Sequence, residues 1–275
     1  MARRGVKATA KQWLPDEAVR LARHWAGYGS HFRGTYDTWE AAAENVGGYD
    51  SGNILDRVEQ ATAAVCDGRA TFERDGVLFD TADLPYPLLA GLLRAAAQDG
   101  RLHVVDFGGA LGSTYHQCRR FIEAVPDVRW QVVEQPHFVA RGRAKFSDGV
   151  LDFADSIEEA FRAIAPNVAL ASGVLQYVPH PGEVLDELAR RDIGYILIDR
   201  TPIVAGARET LARQLVSSRV VNASYPVRLF TQESLLAPLA GRYELIAEFD
   251  ALDNPMGGLR RRVDFKGFLL QRKRG

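Results

Sequence analysis

Between residues 102 and 202 five short apolar runs alternate with stretches of helical spacing, and this alternation constrains the fold more than any other feature. The runs are "LHVVDF" (102–107), "RWQVVEQ" (129–135), "VLDFADS" (150–156), "VALASGVLQYV" (168–178) and "GYILIDRTP" (194–202). Helix-spaced segments follow them, among them "IEEAFRAI", "GEVLDELARR" and "RETLARQLV". Links of this kind are crossovers, so the strands are expected to lie parallel with helices on both faces. Two later runs, "YELIAEFDALD" (243–253) and "RVDFKGFLLQR" (262–272), are separated only by a link containing "NPMGG", too short for a crossover helix. They are expected to pair antiparallel. The expected fold class is therefore α/β, a doubly wound Rossmann-like seven-stranded sheet with a terminal antiparallel hairpin.

An N-terminal helical segment precedes the sheet. "PDEAVRLARHWA" (15–26) has a proline and acids in a first turn, then apolar spacing. "TYDTWEAAAENV" (35–46), "NILDRVEQATAAVCDG" (53–68) and "PLLAGLLRAAAQDG" (87–100) also read as helices. "ATFERDGVLFD" (70–80) reads as a short hairpin turning at Asp75–Gly76. The organisation expected is a helical cap or lid over residues 1–100 and a ligand-binding domain over 101–275.

The glycine burst after the first of the five strands, "DFGGALG", marks a candidate site. Ligands of doubly wound sheets sit at the carboxyl ends of the strands, at the switch point. Asp106 ends the strand; Gly108, Gly109 and Gly112 let the backbone turn and let a ligand approach closely. The next helix offers its N-terminal amides. Glu134 ends the second strand, 22 residues after Gly112, where a carboxylate can accept both hydroxyls of a ribose. The run departs from the dinucleotide pattern G-x-G-x-x-G, and the charge on Asp106 suits a ligand that is cationic near this loop rather than a diphosphate. A valine at Gly108 is expected to block the ligand and leave the fold largely intact.

These residues carry a resemblance. "VVDFGGALG" resembles the first motif of class I S-adenosylmethionine (SAM)-dependent methyltransferases, with Ala110 standing where the middle glycine is expected and Gly109 one place earlier. "VVEQ" resembles their second motif, and "ASGVLQYVPHP" the segment after strand four. More narrowly, "DFGGALGSTYHQ", "WQVVEQPHFV", "SGVLQYV", "IDRTP", "NASYPVRLF", "GTYDTWEAA" and "FERDGVLFD" resemble a bacterial methyltransferase family often associated with polysaccharide or surface-glycan gene clusters. The resemblance implies SAM as cofactor and an enzyme, a SAM-dependent methyltransferase. It implies cofactor contacts at Asp106, Gly108, Gly109, Gly112, Glu134 and Gln135, at Asp155 and Ser156 after strand three, and at Ser172, Gly173 and Gln176 after strand four. Ser156 with Glu159 is equally a capping box that starts a helix.

Candidate chemistry lies at the ends of strands four and five. Asp199 is the leading candidate general base, with His180 behind it. Arg200 is a candidate anchor for a hydroxyl or carboxylate, and an internal Asp199–Arg200 ion pair is the structural alternative. Tyr177 and Tyr225, the latter beside Pro226, are candidate substrate-binding residues. Tyr36 is another, with Trp39, on the expected lid; packing is their alternative. His116 and His137 are weaker candidates. Cys66 and Cys118 match no metal motif, and no metal is expected.

The function read from this sequence is methyl transfer to a small molecule or sugar acceptor in a biosynthetic role, at oxygen. The alternatives are a SAM-binding scaffold or regulatory protein without methyl transfer, and an NAD-dependent oxidoreductase. The net charge of −1 gives no reason to expect a nucleic-acid partner. No stretch of about 18 apolar residues exists, so no membrane span is expected. The basic N-terminus lacks the apolar run of a signal peptide, and two free thiols suit a cytoplasmic location. Homodimerisation is left open.

Overall fold

The computed structural model describes residues 30–44, 46, 52–79, 84–206, 208–216, 224–252 and 263–274. The helix expected at 15–26 lies outside the described residues. A seven-stranded sheet has the order β11-β12-β8-β7-β4-β5-β6, built from β4 (Leu102–Phe107), β5 (Val128–Val133), β6 (Leu151–Ala154), β7 (Val168–Ser172), β8 (Tyr195–Val204), β11 (Tyr243–Asp250) and β12 (Val263–Arg272). β6, β5, β4, β7 and β8 run parallel, and β12 and β11 close the sheet antiparallel. This is the strand arrangement of the Rossmann-like methyltransferase fold. After β4 the chain builds outward through β5 and β6, then returns to β7 on the other side of β4. The crevice between β4 and β7 is therefore the switch point.

Strand residues alternate between two buried clusters because neighbouring side chains point to opposite faces. Val104, Trp130, Val132 and Leu197 join one cluster with Leu88 and Leu92 of α3 (Tyr86–Asp99). Val105, Ala169, Ile196 and Ile198 join the other with Leu185 and Leu188 of α7 (Pro181–Arg190). Among the described residues the remaining α-helices are α1 (Trp39–Ala43), α2 (Gly52–Cys66), α4 (Ser113–Ile122), α5 (Pro136–Lys145), α6 (Ile157–Ala163) and α8 (Gln232–Leu236). Among the described residues no helix is long and apolar enough to cross a membrane.

Two helical expectations are overturned. "RETLARQLV" forms β9 (Thr210–Val216), the middle strand of a three-stranded antiparallel sheet between β1 (Ser30–Tyr36) and β10 (Ser224–Leu229). Leu, Ala, Arg and Gln favour helix locally, but Ala212 and Gln214 are buried with period two and both edges of the strand are paired. Tertiary pairing overrides propensity here. Within 35–46, only Trp39–Ala43 is helical, capped by the Thr38 hydroxyl, which accepts from Ala41 N at 3.1 Å. Phe32, Ala212, Val227 and Leu229 of the small sheet pack against Val204 and Phe265 at the ends of β8 and β12.

The expected hairpin is present as β2 (Phe72–Arg74) and β3 (Val77–Phe79). Asp75 and Gly76 form its two-residue turn, with φ of 52° and 73°. Glu73 anchors this hairpin to the start of α4 by accepting the Ser113 hydroxyl proton and the Gly76 N–H, the latter at 3.1 Å.

Candidate active site

A cavity of about 420 Å³ opens at the carboxyl ends of β4, β5, β6, β7 and β8, within the size range of small-molecule sites. Its floor is the turn after β4. Gly108 has φ +72°, and a Cβ there would come within 2.2 Å of Val174 Cγ2. The turn after β4 and the loop after β7 therefore meet at a glycine because no side chain fits between them. At Gly109 a Cβ would meet Asp106 Oδ2 at 2.5 Å, so the turn rests directly on that carboxylate. Ala110 follows in the left-handed region, φ 51°.

Asp106 supports this turn from beneath and does not line the cavity. It is buried; Trp130 Nε1 donates to its Oδ2 at 3.0 Å, and its Oδ1 has no hydrogen-bond partner. Burial pushes its carboxyl up to about 7, against the Trp130 bond and with help from the Glu134 charge. Between about pH 4 and pH 7 the folded state thus holds a proton that the unfolded chain has released. Stability from this group is full below that window and is lost as pH rises through it. Glu73, pushed up to about 7 by burial, acts in the same direction. Asp106→Asn keeps an acceptor for Trp130 without the charge. It is expected to raise the melting temperature by roughly 3 °C or more at about pH 8 and by clearly less at about pH 5. Equal effects at both pH values in thermal melts would count against this ionisation.

Glu134, Gln135 and Asp155 line the next part of the wall. Gln135 N donates to Glu134 Oε2 at 2.8 Å. Burial raises the Glu134 carboxyl, while backbone bonds from Gln135 and Ala110 oppose the rise. Asp155 is exposed and sits 3.8 Å from Arg143. Ser156 is off the cavity wall; it caps α6, its Oγ accepting from Glu159 N at 3.1 Å. The Glu159 carboxylate accepts from Asp155 N at 2.7 Å rather than from the N–H of the cap residue. Gly112 caps α4 with φ +89°, and a Cβ there would meet Leu151 at 2.8 Å; its role is packing rather than lining.

Ser172, Gly173, Tyr177 and Arg200 line the other end. Asp199 is buried and off the wall: Ser172 Oγ donates to its Oδ2 at 3.3 Å and Thr201 Oγ1 to its carbonyl at 3.2 Å. His180 is exposed at the N-cap of α7 and also off the wall. Gln176 is buried behind the wall, its Nε2 donating to the Arg200 carbonyl at 3.3 Å. Tyr177 Oη donates to Gln214 Oε1 at 2.6 Å, and Tyr225 meets the Tyr177 ring edge-on at 6.1 Å, so the small sheet braces this loop without Tyr225 lining the cavity. Tyr36 is also off the wall; the Arg213 guanidinium lies over its ring at 4.7 Å. His116, pushed down to about 4 by burial, faces Cys66, and neither it nor His137 lines the cavity.

Sequence reasoning passed over Arg74, Asp75, Val58, Ser113 and Thr114, all on the wall. Asp75–Gly76 signalled a turn, and nothing in the local sequence signals that the turn closes over strand ends 125 residues away. Among the described residues no group of three or more His, Cys, Asp or Glu is placed to hold a metal ion.

No family model and no curated protein matches the chain. Similar solved structures include the N-terminal domain of EvdMO1 with SAH bound, at 16% identity, covering 82% of this chain and 100% of that chain, with a TM-score of 0.48. The cyclase SpnF is similar at 12% identity, 82% and 96% coverage and a TM-score of 0.49. An S-adenosylmethionine-dependent methyltransferase from Clostridium acetobutylicum ATCC 824 is similar at 10% identity, 69% and 93% coverage and a TM-score of 0.44. The fold of this chain stands on its own strand order.

Proposed function

We propose that this chain is a SAM-dependent methyltransferase acting at an oxygen of a small molecule or sugar. The observation that carries the reading is one continuous wall over three adjacent strand ends: the Gly108–Ala110 turn after β4, Glu134 after β5 and Asp155 after β6. Bare backbone at 108–109 accepts close approach by a ligand. Glu134, fixed by Gln135 N, offers a carboxylate to paired hydroxyls. These residues fit a nucleoside, which the Gly108–Ala110 backbone and the Glu134 carboxylate would hold. When bound, SAM supplies a methyl group already activated by its sulfonium.

The chain's own work is to hold the acceptor and exclude water. Phe107, Val133, Val174 and Val178 supply an apolar lining that excludes water. Asp199 meets the cavity wall at Ser172, whose hydroxyl it orients, which makes it a positioning residue. Asp199→Asn keeps an acceptor for Ser172 but loses the charge. It is expected to leave SAM affinity within about twofold and to lower turnover about tenfold, the scale of one weakened hydrogen bond. His180→Ala should change neither. Transfer of labelled methyl from SAM to a panel of sugars and hydroxylated small molecules, read by mass spectrometry, tests the function. SAM binding with no labelled product across the panel would favour a binding protein that does not transfer methyl.

A further inference from the structure

The side chain facing the acceptor end of the cavity is held there by an irregular strand. In the antiparallel pairing of β8 with β12, Ile198 faces Phe268 and Thr201 faces Lys266. Asp199 and Arg200 together oppose the single residue Gly267, which is a β-bulge. Arg200 takes φ +53°, a left-handed conformation that an arginine adopts only where its surroundings enforce it. Gln176 holds its carbonyl. The bulge turns the side chain out of the sheet and onto the cavity wall. There the guanidinium lies against Gly173, where a Cβ would come within 3.2 Å of Nη1.

One partner of this fixed cation is of a different kind. Arg200 Nη2 donates to Asp75 Oδ2 at 3.2 Å. The Arg200 side chain is 20% exposed, whereas that of Asp75 is 66% exposed at the tip of a two-residue turn. A solvated carboxylate holds a guanidinium weakly. A ligand oxyanion that reaches the same guanidinium inside the cavity is desolvated and can meet its planar fork along two bonds. Arg74, whose guanidinium lies 5.6 Å from the Phe72 ring centre, lines the same end and adds a second positive charge. Glu134 and Asp155, the other carboxylates on the wall, lie after β5 and β6, across the switch point from β8.

We propose that the acceptor bears a carboxylate or phosphate group, and that Arg200 binds this anion by taking it in place of Asp75. This deepens the methyltransferase reading and rests on it for the word acceptor. Arg200 is then a specificity-determining residue, and neutral analogues of the acceptor are discriminated against because they leave the guanidinium on Asp75.

Calorimetric titration tests the site directly, with benzoate and inorganic phosphate as probes and benzyl alcohol as the neutral control. Ionic strength is held constant with chloride, and each titration is run with and without S-adenosylhomocysteine. One of the two anions is expected to bind, with benzyl alcohol at least about tenfold weaker; which anion binds separates a carboxylate acceptor from a phosphorylated one. Asp75→Asn, which removes the competing carboxylate, should tighten the anion about fivefold. Arg200→Met should weaken it about tenfold or more, with Arg200→Lys between the two. A misfolded protein cannot produce the tightening. Benzyl alcohol binding as tightly as the anion that binds, no binding of either anion, or an Asp75→Asn protein that binds no tighter would overturn the proposal. Anion binding by a protein that does not bind S-adenosylhomocysteine would keep the anion site and sink the methyltransferase reading. The reverse pattern would do the opposite.

Discussion

Gly108→Val is expected to destabilise the fold itself, lowering the melting temperature by about 4 °C or more. Sequence reasoning predicts an intact fold with a blocked cofactor site, because the glycine is read as a turn former and a place of close ligand approach. The structure adds two local penalties. At φ +72° a β-branched residue is a conformational outlier, which costs about 1–2 kcal/mol or more. Its Cβ would lie 2.2 Å from Val174 Cγ2 and 2.6 Å from Val174 Cβ. Relieving that overlap means moving the loop after β7, and overpacking of this kind costs about 1–3 kcal/mol. Together these are a large share of a typical domain's net stability of about 5–15 kcal/mol. Gly108→Ala should fall between wild type and valine. Melting of Gly108→Val within about 2 °C of wild type would show that the Val174 loop yields freely.

Glu134→Ala is expected to weaken SAM binding by about 2 kcal/mol, roughly 30-fold in Kd, while leaving the melting temperature of the ligand-free protein nearly unchanged. The carboxylate reaches the cavity wall with one oxygen already held by Gln135 N, so its orientation precedes the ligand. Charge-assisted bonds to hydroxyls from a fixed carboxylate are the strong kind. Glu134→Gln keeps one acceptor and should lose less. Calorimetric affinity of the alanine variant within about twofold of wild type would show that Glu134 does not receive the ribose.

The two experiments separate what a glycine-rich turn does for packing from what it does for a ligand. Gly112 stands on the packing side, pressed on Leu151, whereas Gly109 does both, lining the cavity while pressed on Asp106. Asp106 belongs with Gly112. A strand-end acid next to glycines suggests a ligand contact, yet its carboxyl points under the turn and into the Trp130 indole. No spacing rule pairs residues 106 and 130; the parallel register of β4 with β5 brings Trp130 opposite Val104, two residues from Asp106.

The sequence by itself determined the parallel sheet, its antiparallel closing hairpin, the hairpin at 72–79 and the sheet edge at which the cavity opens. These follow from period, length of link and turn chemistry, which are local properties of the chain. It also placed Gly108, Glu134, Asp155, Ser172, Gly173, Tyr177 and Arg200 on what proved to be one cavity wall, because strand ends in a doubly wound sheet converge. Only the tertiary structure decided that "RETLARQLV" is a strand, since its helix formers lose to pairing with β1 and β10. Only the tertiary structure joined Asp75 to Arg200, separated Asp199 and His180 from the cavity, and turned Arg200 inward at a bulge opposite Gly267. Contacts of that kind depend on the register between distant strands, a property of the assembled sheet that no segment carries alone.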